Sequence, residues 1–152
     1  MINIRFVGEQ DYPAIDAYIA DKVWSRADKL WTTLIKPKYI ARVLKGFNPN
    51  IHSMVVEETY LVLFATVRPW FTDETIIDEK LIFRLHNGKG KFSDVIDALD
   101  AIAKEENAAG IMVGTGLTPN DAAMSRLYKR EGFEPSSSNL YKQSLTIERL
   151  TS

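Results

Sequence analysis

The sequence predicts an α/β (α+β) fold, a mixed sheet covered by helices, in a single domain over residues 1–152. Two observations lead there. Strand-type runs and helical stripes alternate in the order β α α β β β α β α β β, which suits a mixed sheet with helices on it. Residues 81–103 then read as strand, glycine-bearing loop and amphipathic helix in direct succession.

Taking the elements in turn, Ile2, Ile4 and Phe6 alternate with Asn3 and Arg5 as a first strand, ended by Gly8. Asp11 can cap a helix with Pro13 in its first turn, and Ile15, Tyr18, Ile19 and Val23 follow a helical stripe. Trp24, Leu30, Trp31 and Leu34 suggest further, broken helix, and Tyr39, Ile40, Val43 and Leu44 a short helix closed by Gly46. Residues 53–56 and 59–67 are two strand runs joined at Glu57 and Glu58, a hairpin. After a loop carrying Trp70 and Phe71, residues 76–85 form the next strand. Strict alternation along it places Glu79 on the side of Ile77, Leu81, Phe83 and Leu85. A carboxylate on an apolar face has a raised pKa if buried, and an ordinary one if it lies at the strand mouth in water.

Gly88 and Gly90 follow, and the stripe Phe92, Val95, Ile96, Leu99, Ile102 and Ala103 marks a helix starting near Lys91. Free N–H groups at such a start attract anions, and a phosphate is the natural guest. Residues 111–113 are a short buried strand. Asn120 or Asp121 then caps a helix with Ala123, Met124, Leu127 and Tyr128 inward, ended by Gly132. Phe133 opens a short strand, and residues 139–147 alternate as the last one.

The composition narrows the function. Hydrophobic residues at 45% and charged residues at 26% describe an ordinary globular domain. With 19 basic and 20 acidic residues, no whole-protein field drives the chain to nucleic acid or membrane. The absence of cysteine excludes thiolate chemistry, and His52 and His86 alone do not build a usual zinc site, so no metal is expected. No signal pattern is found, and a cytoplasmic protein is expected. Residues 21–47 hold Lys22, Arg26, Lys29, Lys36, Lys38, Arg42 and Lys45 against only Asp21 and Asp28. That stretch is either a solvated helix face or a surface for an acidic partner or substrate.

Two motifs carry a family resemblance. L-H-N-G-K-G (residues 85–90), between strand and helix, is similar to the pyrophosphate loop of the GNAT superfamily of acyl-CoA N-acyltransferases. A-M-S-R-L-Y-K-R-E-G-F (residues 123–133) resembles that superfamily's final helix and the start of the next strand. The resemblance implies a mostly antiparallel sheet of about six to seven strands, splayed between the fourth and fifth. Acetyl-CoA, or another acyl-CoA, would bind there. Backbone amides of His86, Asn87, Gly88, Lys89, Gly90 and Lys91 would hold its pyrophosphate, and main-chain groups of Phe83 and Leu85 its pantetheine arm. Leu85 stands where the family usually has Arg or Gln, and Lys89 and Lys91 could supply charge instead. Asp121 stands where the family often has Asn, and Asn120 is the neighbour that could serve.

Tyr128 matches the tyrosine that protonates the departing thiolate, and a positioned phenol suits that role. Its alternative is a ring packed on the core. Glu79 is the first candidate base for the amine and Asp78 the second. The implied partners are acyl-CoA and an amine acceptor, without a membrane, and a homodimer is admissible. Three functions compete: acyl transfer by direct attack; a non-catalytic GNAT-fold binding protein using segment 21–47; and a nucleic-acid modifier drawn by that basic segment.

Overall fold

The computed structural model describes residues 1–21, 34–114, 121–136 and 140–144. Strands β1 (Ile4–Phe6), β2 (His52–Val56), β3 (Tyr60–Val67), β4 (Ile76–Arg84) and β5 (Gly110–Met112) form one sheet in sequential order. The first four are mutually antiparallel, and β5 lies parallel to β4. Helices α1 (Tyr12–Asp21) and α2 (Pro37–Leu44) cover one face. Helix α3 (Phe92–Glu105), the crossover between β4 and β5, covers the other with α4 (Asp121–Arg130).

β3 is buried on both sides because its period-2 alternation is apolar throughout. Leu61 and Leu63 meet Ile15, Ile19, Val43 and Leu44 of α1 and α2. Val62 and Phe64 meet Val95, Ile96 and Leu99 of α3. The α3 stripe expected from the sequence is the one buried.

β4 departs from the expected alternation. It pairs Leu81 with Leu63 but Glu79 with Phe64, so Lys80 is an extra residue, a β-bulge. Glu79 therefore shares a face with Ile77 toward α3 and α4, while Leu81 and Phe83 turn to α1 and α2. The expectation that Glu79 sides with Leu81, Phe83 and Leu85 fails because one inserted residue inverts every later side chain.

The first helix also starts differently. Glu9–Asp11 is a 3-10 turn capped by Gly8, and Asp11 reaches back to accept the Gly8 N–H at 2.9 Å instead of serving as the cap.

Five strands occur among the described residues, against the six to seven expected. Residues 133–136 and 140–144 are not in strand, and the rest of the expected last strand lies outside the described residues. The physical reason is clearest at Phe133. Its N–H donates to Tyr128 C=O at 3.2 Å, and that of Gly132 to Lys129 C=O at 3.2 Å. Gly132, with φ of 94°, takes the left-handed conformation this helix ending requires. Phe133 is thus held as the cap of α4, not in a ladder.

The β2–β3 turn places Glu57 and Glu58 at φ of 52° and 47°, a type I′ geometry that usually selects Asn-Gly. Local bonds offset the strain. Asn3 N–H donates to Glu57 Oε1 at 2.8 Å, Thr59 Oγ1 donates to Glu57 C=O at 2.7 Å, and Arg5 pairs with Glu58. The loop at 85–91 packs directly on this turn. A Cβ at Gly88 would stand 2.3 Å from Thr59 Oγ1 and 2.6 Å from Glu58 C=O. Gly88→Ala should then cost about 1–3 kcal/mol of stability with no ligand present, whereas Lys89→Ala should cost little. Urea unfolding of the two variants checks this, and equal midpoints would refute the packing.

Candidate active site

β4 and β5 pair over three residues only, from Ile76–Gly110 to Asp78–Met112. β4 then runs on to Arg84 while β5 ends, so the strands part just beyond Asp78. Glu79 is the first β4 residue past the fork; its side chain points with that of Ile77 toward α4, and the bulge turns Leu81 and Phe83 to the other face. Gly114 N–H donates to Glu79 Oε2 at 3.1 Å, and the Tyr128 hydroxyl reaches the same oxygen at 3.5 Å. Oε1 is buried and has no hydrogen-bond partner among the described residues.

Both groups are almost wholly enclosed, each 3% exposed. Burial pushes the Glu79 carboxyl up to about 7, although the Gly114 N–H and the Tyr128 hydroxyl favour its charged form. Burial and then the Glu79 charge hold the Tyr128 phenol well above its ordinary value, so it keeps its proton at neutral pH. The ring is wedged between Phe92 and Phe133, each 5.3 Å away and edge-on. A cavity of about 430 Å³ opens onto Glu79 and Tyr128, lined also by Met112, Gly114, Ser125 and Lys129. Asp78, the other candidate base, borders it too but is half-buried and pairs with Lys80 at 2.7 Å.

The other sequence candidates fall into place as follows. Thr75 C=O accepts from Ala109 N–H at 2.8 Å, so Thr75 faces β5. Unbroken alternation would aim Phe83 and Leu85 the same way. Yet Leu85 N–H donates to Thr59 C=O at 2.8 Å, toward β3, and Phe83 shares that direction two residues earlier. The main-chain groups on the open edge beyond the fork are therefore those of Ile82 and Arg84, and the Phe83 ring stacks on Tyr18 of α1, on the face away from Glu79, at 3.5 Å. Three loop amides are engaged inside the protein. His86 N–H goes to Thr59 C=O (3.1 Å), Gly90 N–H to Thr59 Oγ1 (2.8 Å) and Lys91 N–H to Asp94 (2.8 Å). Those of Asn87, Gly88 and Lys89 have no acceptor among the described residues. Asn120 lies outside the described residues.

Sequence reasoning missed Gly114, Thr59 and the bulge. The bulge had a signal: Asp78, Glu79 and Lys80 are three consecutive polar residues, which no single alternation accommodates.

The fold is similar to that of several solved structures, most of them described as acetyltransferases. A ribosomal-protein-alanine N-acetyltransferase from Brucella melitensis biovar Abortus 2308 superposes with a TM-score of 0.67 at 16% identity, covering 93% of this chain and 98% of that one. A predicted acetyltransferase from Clostridium acetobutylicum, solved with acetyl-CoA, gives 0.59 at 18%, covering 94% and 96%. A protein described as a transcriptional regulator from Bacillus halodurans C-125 gives 0.65 at 20%, covering 94% and 99%. No profile of a known protein family matches the sequence, and neither does any curated protein. The chain has the fold of the GNAT superfamily of acyl-CoA N-acyltransferases.

The buried carboxyl carries a stability consequence. Folded Glu79 keeps its proton to about pH 7, whereas the unfolded group loses it near 4.5. The folded state thus binds more protons between these values, and stability falls as pH rises through that window, by on the order of 3 kcal/mol. Glu79→Gln removes the penalty. Its melting temperature should exceed that of the unmodified protein at pH 8 and approach it at pH 4.5. A gap independent of pH would contradict a buried, proton-holding Glu79.

Proposed function

We propose that residues 1–152 act as one domain that transfers an acyl group from acyl-CoA to an amine by direct attack. The observation that carries this reading is the enclosed Glu79–Tyr128 pair at the fork of β4 and β5. The loop amides of Asn87, Gly88 and Lys89, with Lys89 and Lys91 beside them, suit the donor's phosphates. The open-edge groups of Ile82 and Arg84 suit an extended amide-bearing arm, which pairs as an added strand. The donor supplies the thioester.

The ammonium first releases one proton to solvent, and Glu79, titrating near neutrality, accepts the second, which the nitrogen sheds as it bonds to carbon. The amine nitrogen bonds to the thioester carbon and the carbon–sulfur bond breaks. Tyr128 gives its proton to the departing sulfur and recovers one from Glu79, to which its hydroxyl already points. The proton thus travels from amine to thiolate through two side chains, and the enzyme ends as it began. The enclosed site strengthens each transfer by excluding water.

A second reading, a binding protein without catalysis, is favoured by α2. Lys36, Lys38 and Arg42 are exposed and form no ion pair among the described residues, whereas Lys45 pairs with Asp16 at 2.8 Å. Lys22, Arg26 and Lys29 lie outside the described residues. Reversing Lys36, Lys38 and Arg42 to Glu should abolish a salt-dependent association with an acidic partner if this reading holds. Salt-titrated pull-down or calorimetry reads it, and wild-type association after reversal would leave α2 a solvated face.

The catalytic reading is decided at Tyr128. Tyr128→Phe keeps the ring between Phe92 and Phe133 and deletes only the hydroxyl. Expected is a fall in kcat of about 10²-fold with little change in acetyl-CoA affinity or melting temperature. Steady-state kinetics with an amine panel measures it, and a rate within about threefold of the parent would remove Tyr128 from the chemistry.

A further inference from the structure

His86 makes two kinds of contact. Its N–H is spent on Thr59, and its ring Nε2 lies 2.7 Å from Asp11 Oδ1. Asp11 has no solvent exposure. Besides His86 it accepts from Arg5 Nη1 (2.7 Å), Arg5 Nη2 (2.9 Å) and Gly8 N–H (2.9 Å). Arg5 also donates to Phe6 C=O from Nη1 (3.2 Å) and to the Glu58 carboxylate from Nε and Nη2, and the Glu58 carbonyl is, with Thr59 Oγ1, a group against which Gly88 closes. The contacts form a circuit: loop, His86, Asp11, Arg5, Glu58, and back to the loop.

The circuit brackets the three unengaged amides. His86 fixes the chain just before Asn87, through backbone and ring. Gly90 N–H, on Thr59 Oγ1, fixes it just after Lys89. Between the fastenings the chain has three residues, one a glycine. Their N–H vectors converge on an anion only if both ends stay put. The backbone bonds belong to the sheet side of the loop. Among the described residues, the ring of His86 makes the loop's one hydrogen bond to the 3-10 turn before α1, and that bond ends on a carboxylate also held by Arg5.

We propose that His86 is a positioning residue for the donor loop: its ring, bonded to Asp11, holds the Asn87, Gly88 and Lys89 amides in the array that receives the phosphate oxygens of the acyl donor. This rests on the assignment of that loop to the donor under the proposed function. Donor affinity is then governed from the first eleven residues, far in sequence from the loop.

The test compares His86→Leu with His86→Gln in the full chain. Leucine fills space and cannot bond Asp11; the glutamine amide can. Asp11 keeps Arg5 and Gly8 in both variants, and melting temperature reports whether they fold. Expected for His86→Leu is at least a tenfold rise in the acetyl-CoA Kd by calorimetry, appearing in KM and not in kcat, with His86→Gln recovering most of it. Hydrogen exchange without ligand should quicken at the His86 and Gly90 amides in His86→Leu and stay near the parent rate in β3. Parent-like affinity in His86→Leu, even with faster exchange, overturns the positioning role, and so does a glutamine variant as impaired as the leucine one. If the parent protein binds no acetyl-CoA, the donor assignment falls; the exchange data then still decide whether His86 fastens the loop, and unchanged exchange refutes it.

Discussion

Lys80 has no counterpart on β3, and that unpaired residue inverts the alternation of β4 for the rest of its length. Without it, Glu79 would share a face with Leu81 and Phe83, and the open edge past the fork would present the backbone of Phe83 and Leu85. With it, a carboxylate meets Tyr128 and Gly114 on the α3–α4 side, two hydrophobic residues fill the α1–α2 side, and the edge passes to Ile82 and Arg84. The bulge lies where β4 leaves β5. One irregularity beside the fork thus parts the apex side chain from the face of the residues after it and sets which main-chain groups face the gap.

The apex is built at a thermodynamic disadvantage. A carboxyl with one oxygen unpaired and both enclosed is something a fold optimised for stability alone would replace. Among the described residues no cation bonds to it. One backbone N–H and one distant hydroxyl orient the group and favour its charged form, but too weakly to offset its burial. This balance leaves the carboxyl titrating near neutrality.

Much of this was legible in the sequence, and the rest was hidden for identifiable reasons. Helical spacing places Met124, Leu127 and Tyr128 on one face, and Tyr128 is buried toward the sheet. The stripe from Phe92 to Ala103 fixes α3 equally well, because both rest on local periodicity. Register is not local: only pairing with β3 shows Lys80 to be supernumerary. The glycines carry a constraint that local sequence does not show: the atoms a side chain at Gly88 would strike are those of Glu58 and Thr59, about thirty positions earlier. Asp11 looks like the cap of α1 but closes the 3-10 turn before it onto Gly8, and its other partners, Arg5 and His86, follow from tertiary contact alone.

The Asp11–His86 contact joins positions 75 apart in the chain, whereas the β2–β3 and β3–β4 pairings close across short turns. Loop-closure entropy orders their assembly: the three-strand meander can zip locally, while β1 must return to β2 across some fifty residues before Arg5 and Asp11 reach Glu58 and His86. During synthesis the N-terminal segment leaves the ribosome first yet waits for the hairpin to exist. The loop before α3 therefore gains its final shape as a late step of folding, and the same long closure makes it an early site of sub-global opening in the native ensemble. A chain can complete its hydrophobic layers and still lack the finished loop before α3 until its first dozen residues come home.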